Sequence, residues 1–451
     1  MPIYVLNTRV SNVATAQALG DESNLAIAVP EMVGRSCRLE GYQKKPVGEF
    51  KVNKKIVAFA SPDSTYAATK RLMDAADHTI LIGIYDFTAS YMEEMLLAAM
   101  ARGVKVSLML DIDGKSESDM FDKMVSMGVR GVSAPSCANA TVRVFRSSHE
   151  KVIVIDGEWV IVQSGNYSAN SIPLNEKDGV GGRGFRTGNR DTGLAIQSTE
   201  LATFFTNILE SDMALVDAVP EMLRKPVEDD FFLVERAPSR QPAQFFPSKT
   251  FALDEDLTIQ PILSPDNYMK VMPDLIAAAR SSILIEQQYI RSSQPNVRKL
   301  LGAINSARQA APGLDVRIVL GKLFSADDVR KEKDNLKRLA DDFDLHLDAN
   351  IRYINTDQFV HCHNKLIVID GKSVLVSSQN WSDAAVTENR EAGVWLTHKG
   401  IADYFGAIFE HDFEHAFKTL PDAEGAPEVM TPQALGAGGF IKVDKGDYEE
   451  V

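Results

Sequence analysis

The chain contains little cysteine, little tryptophan and no long apolar run. Only three cysteines (Cys37, Cys137 and Cys362) and three tryptophans occur among its 451 residues. Three cysteines do not make a disulfide framework, and they are typical of a protein kept in a reducing compartment. No apolar stretch approaches the ~20 residues that a membrane-spanning helix needs. These absences argue against a disulfide-stapled secreted scaffold and against an integral membrane protein.

Positive charge is also scarce. The 48 lysines and arginines are outnumbered by 62 aspartates and glutamates, which gives a formal net charge of −14. Proteins that bind polyanions normally carry a basic surface, because release of counterions drives that binding. The charge balance therefore disfavours a protein that binds duplex nucleic acid, although a local basic cleft on an acidic protein remains compatible with it. Anionic membranes would also repel the bulk of the molecule.

The N-terminal segment gives no targeting signal. The first ten residues, MPIYVLNTRV, lack a basic segment followed by a continuous apolar core. A secretory signal peptide needs both parts, so we expect a cytoplasmic protein, with export by a signal-independent route as the open alternative. A hydrophobic content of 45% over 451 residues is enough for two large domains with substantial cores.

One polar pattern occurs twice, 214 positions apart. HEKVIVIDG begins at residue 149 and continues to QSGNYS, and HNKLIVIDG begins at residue 363 and continues to SSQNWS. Five polar positions match at the same spacing: His149, Lys151, Asp156, Ser164 and Asn166 in the first copy, and His363, Lys365, Asp370, Ser378 and Asn380 in the second. An imidazole, an ammonium, a hydroxyl and an amide in fixed spacing are suited to holding a phosphate.

The spacing predicts the local structure around this pattern. Alternate side chains of a strand share a face, so each histidine should point the same way as the lysine two residues later. The Asp-Gly pair that follows predicts a tight hairpin, whose second strand returns the serine and asparagine to the same place. The alternative is two ordinary buried hairpins with satisfied polar residues. Five matched polar positions, present twice, disfavour it. We take Asp156 and Asp370, at the hairpin tips, to be structural, as we do Ser164 and Ser378.

The duplication extends beyond the motif. Residues 61–82 match residues 264–285 without gaps, and the segment from Asn189 to Gly193 matches that from Asn389 to Gly393. The chain is therefore a tandem pair of related α/β halves. We predict an N-terminal extension at 1–55, a first lobe at 56–235, a linker at 236–250, a second lobe at 251–420 and an acidic, Gly-rich, loose tail at 421–451.

Differences between the halves suggest where a substrate binds. The first half carries an extra Gly-rich loop from Gly179 to Gly188, in which Arg183 and Arg186 could clamp a phosphate-bearing group. A mobile surface loop is an equally good interpretation. Tyr85 and Tyr289 follow apolar strands of the two halves and could line a cleft, or could simply pack at the strand ends.

The repeated residues resemble the phospholipase D superfamily, whose signature is HxKxxxxD followed six residues later by GSxN. Both copies keep the histidine, lysine, aspartate, serine and asparagine, but the glycine before the serine is Gln163 in one copy and Ser377 in the other. The resemblance implies two α/β/α sandwich lobes with mixed β-sheets flanked by helices, related by a pseudo-twofold axis around one cleft. It also implies a monomer with an internal pseudo-dimer.

The resemblance implies a phosphohistidine mechanism without metal or cofactor. It assigns the nucleophile to His149 and the general acid to His363, with Lys151, Lys365, Asn166 and Asn380 holding the phosphoryl oxygens. Asp191 and Glu391 match the carboxylates that orient the imidazoles, but the sequence does not say which serves which histidine. The favoured substrate is a phospholipid or other small phosphodiester, hydrolysed or transferred to an alcohol. The alternatives are a metal-independent nuclease and, less favoured, a non-catalytic binding protein.

The triplet His361-Cys362-His363 offers a second chemical interpretation. His361 and His363 share a face of an extended strand, and His and Cys together are typical metal ligands. No further Cys or His lies nearby in sequence to complete four ligands. We therefore expect His361 to be a pocket wall or a hydrogen-bonded neighbour rather than a metal ligand.

Overall fold

The computed structural model describes most of the chain. The described residues are 3–5, 8–10, 37–112, 115–139, 141–174, 188–217, 232–236, 244–323, 326–421, 428–430 and 440–443. The predicted clamp residues Arg183 and Arg186 lie outside these ranges.

Two eight-stranded mixed sheets form the centre of the molecule, and they have matching strand order. The first, in the order β12-β4-β10-β9-β8-β5-β6-β7, comprises Lys249–Ala252 (β12), Lys55–Ser61 (β4), Asp191–Gln197 (β10), Trp159–Gln163 (β9), Lys151–Ile155 (β8), Thr79–Ile84 (β5), Lys105–Leu110 (β6) and Arg130–Ser133 (β7). The second, in the order β16-β15-β14-β17-β18-β19-β13-β3, comprises Ile351–Tyr353 (β16), Asp315–Leu320 (β15), Ser282–Gln287 (β14), Lys365–Ile369 (β17), Ser373–Ser377 (β18), Glu391–Thr397 (β19), Leu257–Ser264 (β13) and Phe50–Val52 (β3).

Helices cover both faces of each sheet. In the first half they are Thr65–Asp74 (α1), Ser90–Ala101 (α2), Lys115–Ser126 (α3) and Thr199–Asp217 (α4). In the second half they are Tyr268–Ala277 (α5), Pro295–Ala310 (α6), Ala326–Phe343 (α7), Asp383–Thr387 (α8) and Lys399–His415 (α9). The predicted pair of α/β/α sandwich lobes is confirmed.

The hairpin that follows each lysine is as the sequence predicts. Asp156 and Gly157 have φ of 54° and 61°, and Asp370 and Gly371 have φ of 55° and 59°. Two consecutive positive φ values define the turn type that best matches the twist of paired strands, which is why Asp-Gly is favoured there. Strands β8 and β9 pair antiparallel across the first turn, and β17 and β18 across the second.

The sheet of each lobe includes an edge strand that comes from outside that lobe's own stretch of sequence. Strand β3, which precedes the first lobe, pairs with β13 of the second sheet, whereas β12, which precedes the second lobe, pairs with β4 of the first. Residues 37–52, predicted to be an extension, therefore help to build the second lobe. The two halves are interlocked at their beginnings.

One apolar core joins the lobes, and each lobe has a further core of its own. The shared core contains inner-face residues of both sheets together with α4 and α9; Val162, Phe205, Val376 and Phe405 are among its members. Helices α1 to α3 cover the outer face of the first sheet, and α5 to α7 that of the second. Burial of apolar surface in the shared core fixes the lobes against each other.

Short strands lie outside the two large sheets. Ile3–Val5 (β1) pairs with Thr8–Val10 (β2), and Phe232–Arg236 (β11) pairs with Glu428–Met430 (β20) and Phe440–Val443 (β21). The tail after residue 421, expected to be loose, thus contributes two strands. Among the described residues, no helix is both long and apolar enough to cross a bilayer.

Two of the three cysteines form a disulfide, which is not typical of the reducing compartment that the cysteine count indicated. Cys37 and Cys137 are joined by a disulfide across a sequence separation of 100 residues, and Cys362 is a buried free thiol. The pair was not predictable from the sequence, because the spacing of the cysteines does not show that Cys37 lies close to the loop before His149, which contains Cys137. The bond fastens the N-terminal segment to that loop.

Candidate active site

The two repeated motifs meet in one place. Strands β8 and β17 start at the lysines, so His149 and His363 lie just before them, at the corresponding end of these two central strands. The centroids of the two imidazole rings are 6.5 Å apart, and the residues are only 4% and 0% exposed. The two copies are therefore halves of a single site.

Each imidazole is held by a carboxylate from the opposite lobe. His149 Nδ1 lies 2.9 Å from Glu391 Oε2, and His363 Nδ1 lies 3.0 Å from Asp191 Oδ1. A carboxylate at Nδ1 fixes the ring orientation and leaves Nε2 for chemistry. The pairing that the sequence left open is thus crosswise.

The backbone supports the same crossing. The amide of His149 donates to the carbonyl of Arg390 at 2.8 Å, and the amide of His363 donates to the carbonyl of Arg190 at 3.0 Å. Because the carboxylate is the next residue after each arginine, one short segment aligns both the main chain and the side chain of the opposite histidine.

The serines of the motifs orient the carboxylates. Ser164 Oγ donates to Asp191 at 2.7 Å, and Ser378 Oγ donates to Glu391 at 2.5 Å. At the position where the family pattern has glycine, Gln163 and Ser377 bond to the main chain of Gly165 and Lys365. The departures from the pattern are therefore accommodated inside each lobe.

The motif lysines are hydrogen-bonded to the main chain of the histidines. Lys151 Nζ donates to the carbonyl of His149 at 2.6 Å, and Lys365 Nζ donates to that of His363 at 2.5 Å. Both lysines are buried, as are Asn166 and Asn380. Burial lowers the pKa of Lys151 to about 7, although Glu391 opposes the effect. The ammonium is desolvated and suited to pairing with an anion.

The two imidazole–carboxylate pairs differ electrostatically. Burial lowers the pKa of His149 well below its ordinary value and, with Lys365 adding to the effect, lowers that of His363 to about 4. Burial raises the pKa of Glu391 to about 8. Burial also acts to raise the pKa of Asp191, but His363 and its other neighbours outweigh this and lower it. Asp191 is therefore the more strongly ionised of the two orienting carboxylates.

The hairpin aspartates lie away from the imidazoles. Asp156 accepts the amides of Asp77, His78 and Thr79, and Asp370 accepts those of Arg280, Ser281 and Ser282. Partial burial opposes ionisation, but these amide bonds outweigh it and lower the pKa of both carboxyls. Each aspartate caps the start of a neighbouring strand, a structural task.

The two tyrosines are not equivalent. The ring of Tyr85 lies 4.8 Å from that of His149, and Lys151 Nζ lies 5.2 Å from its centroid. Strands β5 and β14 end at Ile84 and Gln287, so Gln288 holds the place of Tyr85 in the second lobe. Tyr289 instead stacks on Arg291, 4.4 Å from the guanidinium carbon.

His361 borders the site as a hydrogen-bonded neighbour. Its Nδ1 accepts the amide of Lys322 at 2.9 Å, and its ring lies 6.5 Å from that of His363. A side chain at Gly321 would come within 2.3 Å of His361, so the glycine makes room for this imidazole. Among the described residues, no group of three or more His, Cys, Asp or Glu could hold a metal ion.

Sequence reasoning missed Asn364, which lies between the two motif residues of the second copy. Its Oδ1 accepts from Thr192 of the first lobe and lies 3.2 Å from Ser164 Oγ, and its Nδ2 donates to Glu286 at 2.7 Å. The first copy has Glu150 at this position, so the substitution within an otherwise matched motif was the available signal.

Comparison with known proteins agrees with this architecture. A family model described as the PLD-like domain of cardiolipin synthase matches residues 69–213 and again residues 272–413. The chain therefore belongs to the phospholipase D superfamily, with one PLD-like domain in each lobe.

A similar fold occurs in phosphatidylserine synthase from Haemophilus influenzae, which is 15% identical with a TM-score of 0.58 over 83% of this chain and 91% of that one. The phospholipase D family member Nuc from Salmonella typhimurium matches 36% of this chain and 96% of its own, at 20% identity and a TM-score of 0.30. At 15% identity, the similarity to phosphatidylserine synthase concerns the fold alone.

A curated relative covers a smaller part of the chain. The DISARM protein DrmC of Bacillus paralicheniformis is 33% identical over 127 residues, which are 26% of this chain. The chain spans half of the length of that relative.

Proposed function

We propose that the protein is a phospholipase D-type phosphodiesterase that works through a covalent phosphohistidine on His149. The observation that carries the proposal is the pair of buried imidazoles 6.5 Å apart, each held at Nδ1 by a carboxylate of the opposite lobe. This arrangement presents two Nε2 atoms to one phosphoryl group. Two imidazoles allow one to attack phosphorus while the other transfers protons.

In the proposed reaction His149 Nε2 attacks phosphorus, and the bond to the leaving oxygen breaks as His363 gives that oxygen its proton. Lys151, Lys365, Asn166 and Asn380 stabilise the charge on the non-bridging oxygens. Water or an alcohol, deprotonated by His363, then attacks the phosphohistidine and restores His149. An alcohol acceptor would make the reaction a transfer rather than a hydrolysis.

The low pKa of His363 sets a requirement on this scheme. Burial and Lys365 lower the pKa of His363 to about 4, so the imidazole is largely neutral at pH 7. A bound phosphodiester brings a negative charge beside both rings and favours the protonated form. We therefore infer that His363 takes up its proton together with the substrate.

The favoured substrate is a phospholipid or another small phosphodiester. The PLD-like domain of cardiolipin synthase is the family model that matches both lobes. Because one chain supplies both half-sites, a monomer is sufficient for activity. The Cys37–Cys137 disulfide is typical of an oxidising compartment and weighs against the cytoplasmic location expected from the N-terminus.

Alanine variants of the two histidines test this proposal. We expect hydrolysis of bis(p-nitrophenyl) phosphate to fall by about 10³-fold or more in His149→Ala and in His363→Ala, because each removes a reacting group. His346→Ala, which alters an exposed histidine, should leave the rate unchanged. Full activity in both site variants would contradict the enzymatic proposal.

A comparison of turnover on different substrates tests which phosphodiester the protein prefers. We expect detergent-dispersed phospholipid to turn over faster than single-stranded DNA, and the reverse order would favour the nuclease alternative. Activity that a chelator abolishes and zinc restores would support a metal at His361-Cys362-His363.

A further inference from the structure

Two buried arginines connect the lobes beside the candidate active site. Arg190 and Arg390 are 0% and 1% exposed, and they immediately precede the carboxylates Asp191 and Glu391. Neither arginine was singled out by the sequence, although both belong to the matched segments from Asn189 and Asn389. An arginine excluded from water must have its charge balanced by carboxylates nearby.

Each arginine is gripped by one carboxylate from each lobe. Arg190 donates through Nε and Nη2 to Asp412 on α9, at 2.6 and 3.2 Å, and through Nη1 to Asp63 at 2.7 Å. The mirror arrangement joins Arg390 to Asp212 on α4, at 2.7 and 3.2 Å, and to Asp266 at 2.5 Å. Two-point contacts of this kind fix the guanidinium plane as well as its position.

Aromatic rings enclose both guanidiniums. Phe359 lies 4.3 Å from the guanidinium carbon of Arg190, and Phe145 lies 4.3 Å from that of Arg390. Each guanidinium has a second ring, from the segment that leads into β3 or β12. Phe246, before β12, lies on Arg190, and Tyr42, before β3, lies on Arg390. Tyr42 also accepts a hydrogen bond from Arg390 at 2.7 Å. The rings exclude water and strengthen the ion pairs.

We propose that Asp412–Arg190 and Asp212–Arg390 are positioning pairs, each of which aligns one particular imidazole through the carboxylate that follows the arginine. Asp412 fixes Arg190, whose neighbour Asp191 holds His363. Asp212 fixes Arg390, whose neighbour Glu391 holds His149. The pairs touch no reacting atom, so their effect is indirect and specific to one histidine. This inference rests on the proposed function for its kinetic readout.

Crossed double-mutant cycles test the specificity. Asp412→Asn and Asp212→Asn keep the side-chain shape but lose one of two bonds to the arginine, and each should lower kcat/KM by about 10²-fold, as expected for a misaligned reacting group. Combined with Asp191→Asn, Asp412→Asn should add less than threefold, because its route to His363 is already broken. Combined with Glu391→Gln, it should add its full factor.

The mirror cycle predicts the opposite combination. Asp212→Asn should add its full factor to Asp191→Asn and almost none to Glu391→Gln. Glu210→Gln and Glu410→Gln are matched controls, since these carboxylates lie on the same two helices and pair with Arg130 and Arg317 instead. Full factors in all four combinations, or none in any, would overturn the proposal, because a merely structural role does not distinguish the histidines.

A measurement independent of turnover separates this inference from the proposed function. In protein labelled with ¹³C at histidine Cε1, Asp412→Asn should shift the signal of His363 and not that of His149, and Asp212→Asn should do the reverse. The other groups facing the rings, namely Lys151, Lys365, Tyr85 and His361, are unchanged in both variants. Equal shifts of both signals, or none, in folded variants would overturn the inference even in an inactive protein.

Discussion

At the scale of single residues, the two half-sites differ in where they keep a buried carboxylate. In the first lobe Glu150, just before β8, accepts from Ser148 Oγ and lies against Gly83 of β5. In the second lobe the carboxylate belongs to Glu286 of β14, at the position of Gly83, and Asn364 replaces Glu150. A side chain at Gly83 would come within 2.4 Å of Leu209 and 3.0 Å of the Glu150 carboxylate, so Glu150 and Leu209 already fill the space beside this glycine. At this pair of positions each lobe therefore has one buried acid.

Glu150 makes stability depend on pH. Burial raises its pKa from 4.5 to about 7, so the folded state retains a proton that the unfolded chain releases between these values. Stability should therefore fall as pH rises from about 4.5 to 7, by at most on the order of 3 kcal/mol. Glu150→Gln should flatten this fall in urea denaturation at pH 5 and pH 8. Glu94→Gln, at an exposed site on α2, is the control. If the difference in unfolding free energy between pH 5 and pH 8 is unchanged in Glu150→Gln, the assignment is contradicted.

At the scale of elements, the segment 37–52 connects three features of the fold. It begins at the Cys37–Cys137 disulfide, places Tyr42 against Arg390, and ends in β3 on the second sheet. The counterpart before the second lobe places Phe246 against Arg190 and ends in β12 on the first sheet. Of these two segments, only the first is fastened by a disulfide.

The disulfide should be detectable by thiol counting. Denatured, unreduced protein should react with one equivalent of maleimide, at Cys362, and with three after reduction. Replacing both Cys37 and Cys137 by serine should lower the free energy of unfolding by about 2–4 kcal/mol, since the bond closes a long loop. Three reactive thiols without reductant would contradict the bond and would restore the expectation of a reducing compartment.

Some elements of the fold were predictable from the sequence, and others were not. The hairpins, the lobes and the motif residues were predictable because each has a local period or a matched repeat. Matching continues at an offset of 200 through Phe205 and Phe405 to Asp212 and Asp412, which was the unused signal for the arginine partners. Strands β3 and β12 have only three and four residues and no periodicity, so their exchange between the sheets was not predictable.

At the scale of the whole molecule, neither lobe contains a complete site. His149 depends on Glu391, and His363 depends on Asp191, so each histidine is oriented only when the lobes are docked. The crosswise pairing could not be read from the sequence, because the contact between lobes decides it and no local pattern encodes that contact. The shared apolar core and the exchanged strands hold the docking in place.

The roles of the two histidines define the central claim, and trapping the covalent intermediate tests it most directly. With bis(p-nitrophenyl) phosphate the leaving group needs no acid, so His363→Ala should still form the intermediate but lack the base that activates water. We therefore predict that acid-labile phosphate accumulates on His149 in His363→Ala and is absent from His149→Ala, as read by mass spectrometry of peptides kept at alkaline pH. Label on His363 in His149→Ala, or no label in either variant, would contradict the account.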